Sequence, residues 1–350
     1  MSDIGPLAVA RALHIAATVA LAGAFAFRFL VLPPATSEPA DAVGSRHAPA
    51  AVAARWESTW CSAALVVAVA SWLGWLALTA ASMSGTAVAQ AVEPDVLGTV
   101  LARTTFGHLW VVRSACLLAL AACLVVARRG DGARVTTADA LAACLALLLL
   151  LTIAGTGHAV AGEPAQRLAH LSIDALHLLG AGAWLGALVP LLFVLGRAGA
   201  TPAPAWHVLA GVAVRRFSVL GVFAVALLLG SGLSNAVWLV GSWDALGATS
   251  YGRLVEAKVA LFAVILVIAA VNRVHLTPRL ELASTHDRAL RALRRNAIAE
   301  LAIGAAVVCV VGALGVTPPP AHEHAPGMRT MSSVTSADEG DRARPEAHPR

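Results

Sequence analysis

Eight apolar runs, each long enough to cross a bilayer as a helix, constrain any fold of this chain. A hydrocarbon core of about 30 Å takes roughly 20 helical residues. Runs of that order lie at Leu7–Leu32, Trp60–Ala81, Gly107–Ala127, Ala138–Gly157, Ala169–Leu195, Phe217–Leu239, Leu254–Val271 and Ile298–Val316. An unpaired backbone amide in hydrocarbon costs several kcal/mol, so each run must be helical. The expected class is all-α: a polytopic membrane protein of about eight transmembrane helices. Only 13% of the residues are charged, where a soluble domain carries about 25%. Lipid is therefore the solvent for much of the chain.

Charge and motif content narrow the function classes. The net charge is +5, but the basic residues lie between apolar runs rather than in one patch. No nucleic-acid partner is expected, and the lipid bilayer is. The sequence has no Walker motif and no soluble catalytic domain, which argues against transport driven by ATP hydrolysis within this chain and against an enzyme. The five cysteines, Cys61, Cys116, Cys123, Cys144 and Cys309, all sit inside apolar runs without a CxxC pair and read as packing residues. The first residues lack the basic start of a secretory signal, so the first run is expected to be a permanent span.

Arginine distribution sets the expected orientation. The odd-numbered loops hold Arg46 and Arg55; Arg128, Arg129 and Arg134; Arg197, Arg215 and Arg216; and Arg273, Arg279, Arg288, Arg291, Arg294 and Arg295. The even-numbered loops hold Arg103, Arg167 and Arg253. Fourteen against three places the odd loops in the cytoplasm and both termini in the periplasm of a bacterial inner-membrane protein. From Thr317 onward Pro, Ser, Asp, Glu and Arg dominate, and residues 317–350 read as a disordered tail.

The two halves echo each other. Ala12-Leu13-His14 with Gly23-Ala24 matches Ala175-Leu176-His177 with Gly186-Ala187 at one offset. Phe106-Gly107-His108-Leu109 with Arg113 matches Tyr251-Gly252-Arg253-Leu254 with Lys258. Arg55, Ser58, Ser71 and Leu73 match Arg215, Ser218, Ser231 and Leu233. Three pairings in order indicate a four-plus-four internal repeat, with residues 1–157 and 158–316 as halves. Each half has an even number of spans, so their topology is parallel, and a ligand site is expected where they meet.

Most histidines fall toward the outer side of this topology. His14 lies about 10 Å into the first span at 1.5 Å per residue. His108 opens the third run, His158 closes the fourth, His170 opens the fifth, and His177 lies two turns deeper. His207, His275 and His286 fall in cytoplasmic loops and read as solvated. His170, Asp174 and His177 are spaced i, i+4, i+7, on one helix stripe. A carboxylate between two imidazoles can ligate a metal or fix a ring tautomer, and ionisable groups within spans usually face a cavity or partner. One histidine at a span end is ordinarily an interfacial residue; five on one side point to a site. Imidazole suits copper, zinc, iron and nickel, while thioether and thiolate favour Cu(I). Met83 lies in the same outer zone, and Cys116 and Cys123 could pass a soft ion inward, though packing accounts for them. In the tail, His322 and His324 with Met328 and Met331 form a set able to collect copper, or a chance grouping. Arg11, Arg113 and Lys258, the only lysine, would neutralise Asp174 and Glu256, hold back cations, or snorkel to the headgroups.

Asp174-Ala175-Leu176-His177 followed by Trp184-Leu185-Gly186 resembles the central signature of the bacterial copper resistance protein D family. So do Arg216-Phe217-Ser218, Tyr251-Gly252-Arg253-Leu254 with Lys258, and Asn272-Arg273, the likeness being strongest over residues 168–275. The resemblance implies copper as cargo, import or transfer from the periplasm, and His177 as a family ligand. It also implies a periplasmic partner of the copper resistance C type; no such domain is fused here, so delivery would use a separate chain. Two other readings stay open from the residues alone. Axial histidine pairs suit haem iron, although the inner halves of the spans offer none. A factor handing copper to an oxidase under assembly would carry the same site.

Overall fold

The computed structural model describes residues 5–33, 40–129, 135–156, 164–201, 203–240, 243–282 and 284–318. Eight helices in it are long and apolar enough to cross a membrane: α1 (Pro6–Val31), α2 (Pro49–Ser84), α3 (Thr105–Ala127), α4 (Thr137–Thr156), α5 (Gln166–Ala200), α6 (Pro204–Leu239), α7 (Ser250–Leu280) and α8 (His286–Leu314). The chain is an all-α, multi-pass membrane protein. His158 and the tail residues His322 and His324 lie outside the described residues.

Several helices run further than their apolar cores. α8 starts at His286 rather than near Ile298. Its first turns carry Arg288, Arg291, Arg294 and Arg295 but bury Ala289, Leu290, Leu293 and Ala297, a helical stripe that hydropathy averages away. α6 likewise starts at Pro204, thirteen residues before the Phe217 expected from the apolar run. His207 and His286 are thus helical and half-buried, not loop residues in solvent.

Burial identifies the lipid-facing surface. In its most apolar window α1 is 61% buried, whereas α6 is 11% and α7 only 6% buried. Large side chains stand outward, among them Phe223 (66% exposed) and Val267 (65%). So much exposed apolar surface suits lipid and not water. α1 contributes to both of the larger cores. One packs α1 with α2, α3 and α4 through Leu21, Ala68, Trp72, Leu120 and Ala146. The other packs its C-terminal end with α5, α6 and α8 through Phe27, Val31, Leu191, Ala210 and Leu293. Cys61, Cys116 and Cys123 are buried in the first core, as packing residues.

α1 and α5 cross at Gly23 and Gly186. A Cβ on Gly186 would lie 2.8 Å from the Gly23 Cα and would overlap the Val19 carbonyl; one on Gly23 would overlap the Gly186 backbone. Small residues let helix backbones meet in this way. The two glycines are the pair matched at one offset in the sequence, and the fold brings them into contact.

Candidate metal centre

The residues paired between the halves build the same constellation twice. In the first half, His14 of α1 is fully buried. Its Nδ1 lies 3.0 Å from the Ala68 carbonyl and 3.3 Å from Ser71 Oγ, both on α2. A carbonyl only accepts, so Nδ1 carries the proton and Nε2 the lone pair. That lone pair accepts from the guanidinium of Arg113 on α3. Arg113 also donates to the Leu149 carbonyl at 2.9 Å and to the Thr152 hydroxyl. Trp72 and Trp75 flank the imidazole, at 5.1 and 5.7 Å between ring centroids. Arg113 stacks over Trp72 and Arg11 over Trp75.

In the second half, His177 of α5 places Nδ1 2.9 Å from Ser231 Oγ on α6. Ser231 donates its hydroxyl to the Leu227 carbonyl, so Oγ accepts from Nδ1–H and the lone pair again sits on Nε2. Lys258 Nζ of α7 donates to that Nε2 at 3.3 Å. Histidine, serine and cation thus come from the first, second and third span of each half. The offsets between the matched residues differ, so the agreement is spatial and not an artefact of one alignment.

The third spans also start alike. Thr104 accepts from the Gly107 amide at 2.9 Å and Thr249 from the Gly252 amide at 2.9 Å, each capping the first turn. His108 is exposed and reaches back to the Ala102 carbonyl at 3.2 Å. Arg253, its counterpart, reaches the equivalent Gly247 carbonyl at 3.4 Å. An arginine in the matching role gives His108 a structural partner at the helix start.

The stripe on α5 faces α6 throughout. Asp174 accepts from Asn235 Nδ2 at 2.6 Å, and the buried His170 meets Trp238 edge-on at 4.8 Å between ring centroids. The partners Ser231, Asn235 and Trp238 form the answering stripe on α6. His170, Asp174 and His177 share this interface without converging: among the described residues, none of their sets gathers three donor atoms within 4.8 Å. Met83 is 55% exposed at the end of α2. Arg113 is fully buried and so does not snorkel, and Glu256 is exposed, away from the role of counter-ion to Lys258.

A second polar cluster lies deeper in the second half. Glu300 of α8 is 2% exposed and accepts from Trp184 Nε1 at 3.2 Å and Asn272 Nδ2 at 2.7 Å. Arg273 donates to Ser218 Oγ at 2.8 Å and to its carbonyl at 2.9 Å. These residues line a mostly apolar cavity of about 250 Å³ between α5, α6, α7 and α8. Signature residues far apart in sequence thus share one cavity. Sequence reasoning missed Glu300, whose signal was a carboxylate at the head of an apolar run. It also missed Ser71 and Ser231 as imidazole partners, although both stood among the repeat pairs.

Residues 1–168 match the family described as Copper resistance protein D-like, N-terminal domain, and residues 211–314 match Copper resistance protein D. Copper resistance protein D of Pseudomonas syringae pv. tomato is 30% identical over 233 residues, covering 63% of this chain and 71% of that protein. The chain belongs to the copper resistance protein D family. Inner membrane protein YebZ of Escherichia coli is 31% identical over 241 residues, 68% of this chain and 77% of that protein. Copper transport protein CutJ of Bacillus subtilis is 30% identical over 232 residues, 66% of this chain; the match spans only 40% of CutJ. No solved structure matches the chain. The first family match contains His14, Ser71 and Arg113, and the second contains Ser231 and Lys258; His177 falls between the two.

Proposed function

We propose that this family member takes copper at the membrane face bearing His14 and His177 and passes it inward between its two halves. The repeated histidine–serine–cation triad carries the reading. In each triad an anchored Nδ1–H fixes the ring, and the lone pair of Nε2 is the position a copper ion would take. The cation on that lone pair must swing aside before the ion binds. An empty site is thereby held closed, and the cation's charge opposes entry of a second ion. Asp174 and His170 extend the second site toward the membrane surface. Met83, His108, His158, His322 and His324 would collect ions outside it.

The outer face is the periplasm in this reading, supported by the arginine distribution, and a separate copper resistance C-type protein would deliver the ion. A reporter active only in the periplasm should be active when fused after Thr317; activity of a cytoplasmic reporter there would reverse the direction of transfer.

Metal analysis with an optical spectrum tests the cargo. Full-length protein purified from copper-supplemented cells should hold at least one equivalent of copper and show no Soret band. A Soret band without copper would replace this reading with that of a haem protein.

A further inference from the structure

The half-buried histidines at the opposite membrane face form a constellation that copper uptake does not use. Arg216 of α6 donates to the Leu32 carbonyl at 3.1 Å, which sets the start of α6 beside the end of α1, away from His14. His207, nine residues before Arg216, lies further out on the same side. There His207 of α6 meets His286 and Asp287 of α8. Their potential ligand atoms, two imidazole nitrogens and a carboxylate oxygen, lie within 4.8 Å of one another. The imidazole rings are 5.2 Å apart between centroids, inclined at 61°.

His286 is oriented as a ligand would be. Its Nδ1 lies 2.8 Å from the Leu280 carbonyl; the carbonyl can only accept, so Nδ1 holds the proton and Nε2 the lone pair. That Nε2 is buried and has no hydrogen-bond partner among the described residues. A buried acceptor without a partner calls for a specific cause, such as an ion. A ring N–H given to a backbone carbonyl is the usual outer support of a metal-bound imidazole.

We propose that His207, His286 and Asp287 bind a divalent first-row transition ion of the zinc class, bridging the starts of α6 and α8. Two imidazoles and a carboxylate without sulfur suit such an ion better than Cu(I). Tetrahedral bonds of about 2.0–2.1 Å set ligand atoms about 3.3 Å apart, so the side chains close by roughly 1.5 Å on binding. Asp287 is exposed and free to make that movement. It also offsets the helix dipole, which by itself disfavours a cation at the start of α8.

The bridge would act on the cavity. Val214 and Leu293 both line it, and each lies seven residues after one of the histidines, about 10 Å along its helix. An ion joining His207 to His286 would pin the two helices two turns beyond the cavity, on the side from which cargo leaves.

The test uses full-length protein in detergent, titrated with Zn(II) against a chromophoric chelator and with Co(II) by its d–d absorption. One saturable equivalent is expected, with nitrogen-ligated Co(II) bands and a higher Tm with Zn(II). His207→Ala and Asp287→Asn should each weaken binding at least tenfold and remove the Tm shift, and His286→Ala should abolish both. Because His286 also holds Leu280, the other two variants decide the matter if His286→Ala fails to fold. His177→Ala should leave this equivalent intact, which separates the site from the copper reading. No saturable equivalent in the wild type, or undiminished binding in His207→Ala and Asp287→Asn, would overturn the proposal.

Discussion

Gly186→Leu should abolish accumulation of folded protein. The α1–α5 crossing brings backbone against backbone, and a Cβ at position 186 would overlap the Val19 carbonyl and lie 2.8 Å from the Gly23 Cα. Neither obstacle is the end of a flexible side chain. Relief requires the two helices to separate. α1 belongs to both cores, so separation opens contacts in each half. Overpacking usually costs about 1–3 kcal/mol; with no side chain to yield, the cost here should exceed about 4 kcal/mol, a range reached by few substitutions. Gly186→Ala should lie between Leu and wild type, and Gly23→Ala should match it. Gly199 supplies the control, because nothing lies within 4 Å of a Cβ built there; Gly199→Ala should leave yield and Tm nearly unchanged. Monodisperse elution of Gly186→Leu with a wild-type Tm would show that the crossing is not as close as described.

The eight spans were legible because lipid imposes one rule, long apolar runs with paired backbones, that composition reveals directly. Their ends were not. The head of α8 hides its buried stripe of Leu290, Leu293 and Ala297 among four arginines, and a window average reports only the arginines. The triads were half legible. His14 with His177, Ser71 with Ser231 and Arg113 with Lys258 were paired by sequence, but the pairings came as three separate matches. That they converge is set by helix crossing and rotation, which decide that Ser71 rather than Ser62 faces His14. Asp174 was read as a partner for imidazole or for Lys258; the hydrogen bond it also accepts from Asn235, a neutral residue on the next span, was not legible. Glu300 stayed hidden because its partners Trp184 and Asn272 lie 116 and 28 residues away.

His177→Ala and Lys258→Met should move copper affinity in opposite directions. His177→Ala removes the proposed ligand and should lower copper binding at the second-half site at least tenfold, with uptake falling in parallel. Lys258→Met retains the ligand and removes the ammonium that occupies its lone pair at 3.3 Å. A hydrogen bond to a charged group contributes about 1.5–3 kcal/mol, and each 1.4 kcal/mol is a factor of ten. Without that competitor, and without its repulsion of the incoming ion, the site should bind copper about ten to a hundred times more tightly. Tighter binding should slow uptake, because the ion leaves only when something reclaims the lone pair. Ser231→Ala should fall between the two, with the ring still present but no longer held in one tautomer. Isothermal titration of the purified variants with a buffered copper donor, paired with cellular accumulation, distinguishes these outcomes. A merely structural Lys258 predicts weaker binding in Lys258→Met, in step with His177→Ala, and that result would sink the gating role. Wild-type binding in His177→Ala would remove the triad from the copper path altogether. Arg113→Met offers the same comparison around His14. Arg113 also serves Leu149 and Thr152, so that variant should lose stability as well, and the gain in affinity is best read at Lys258.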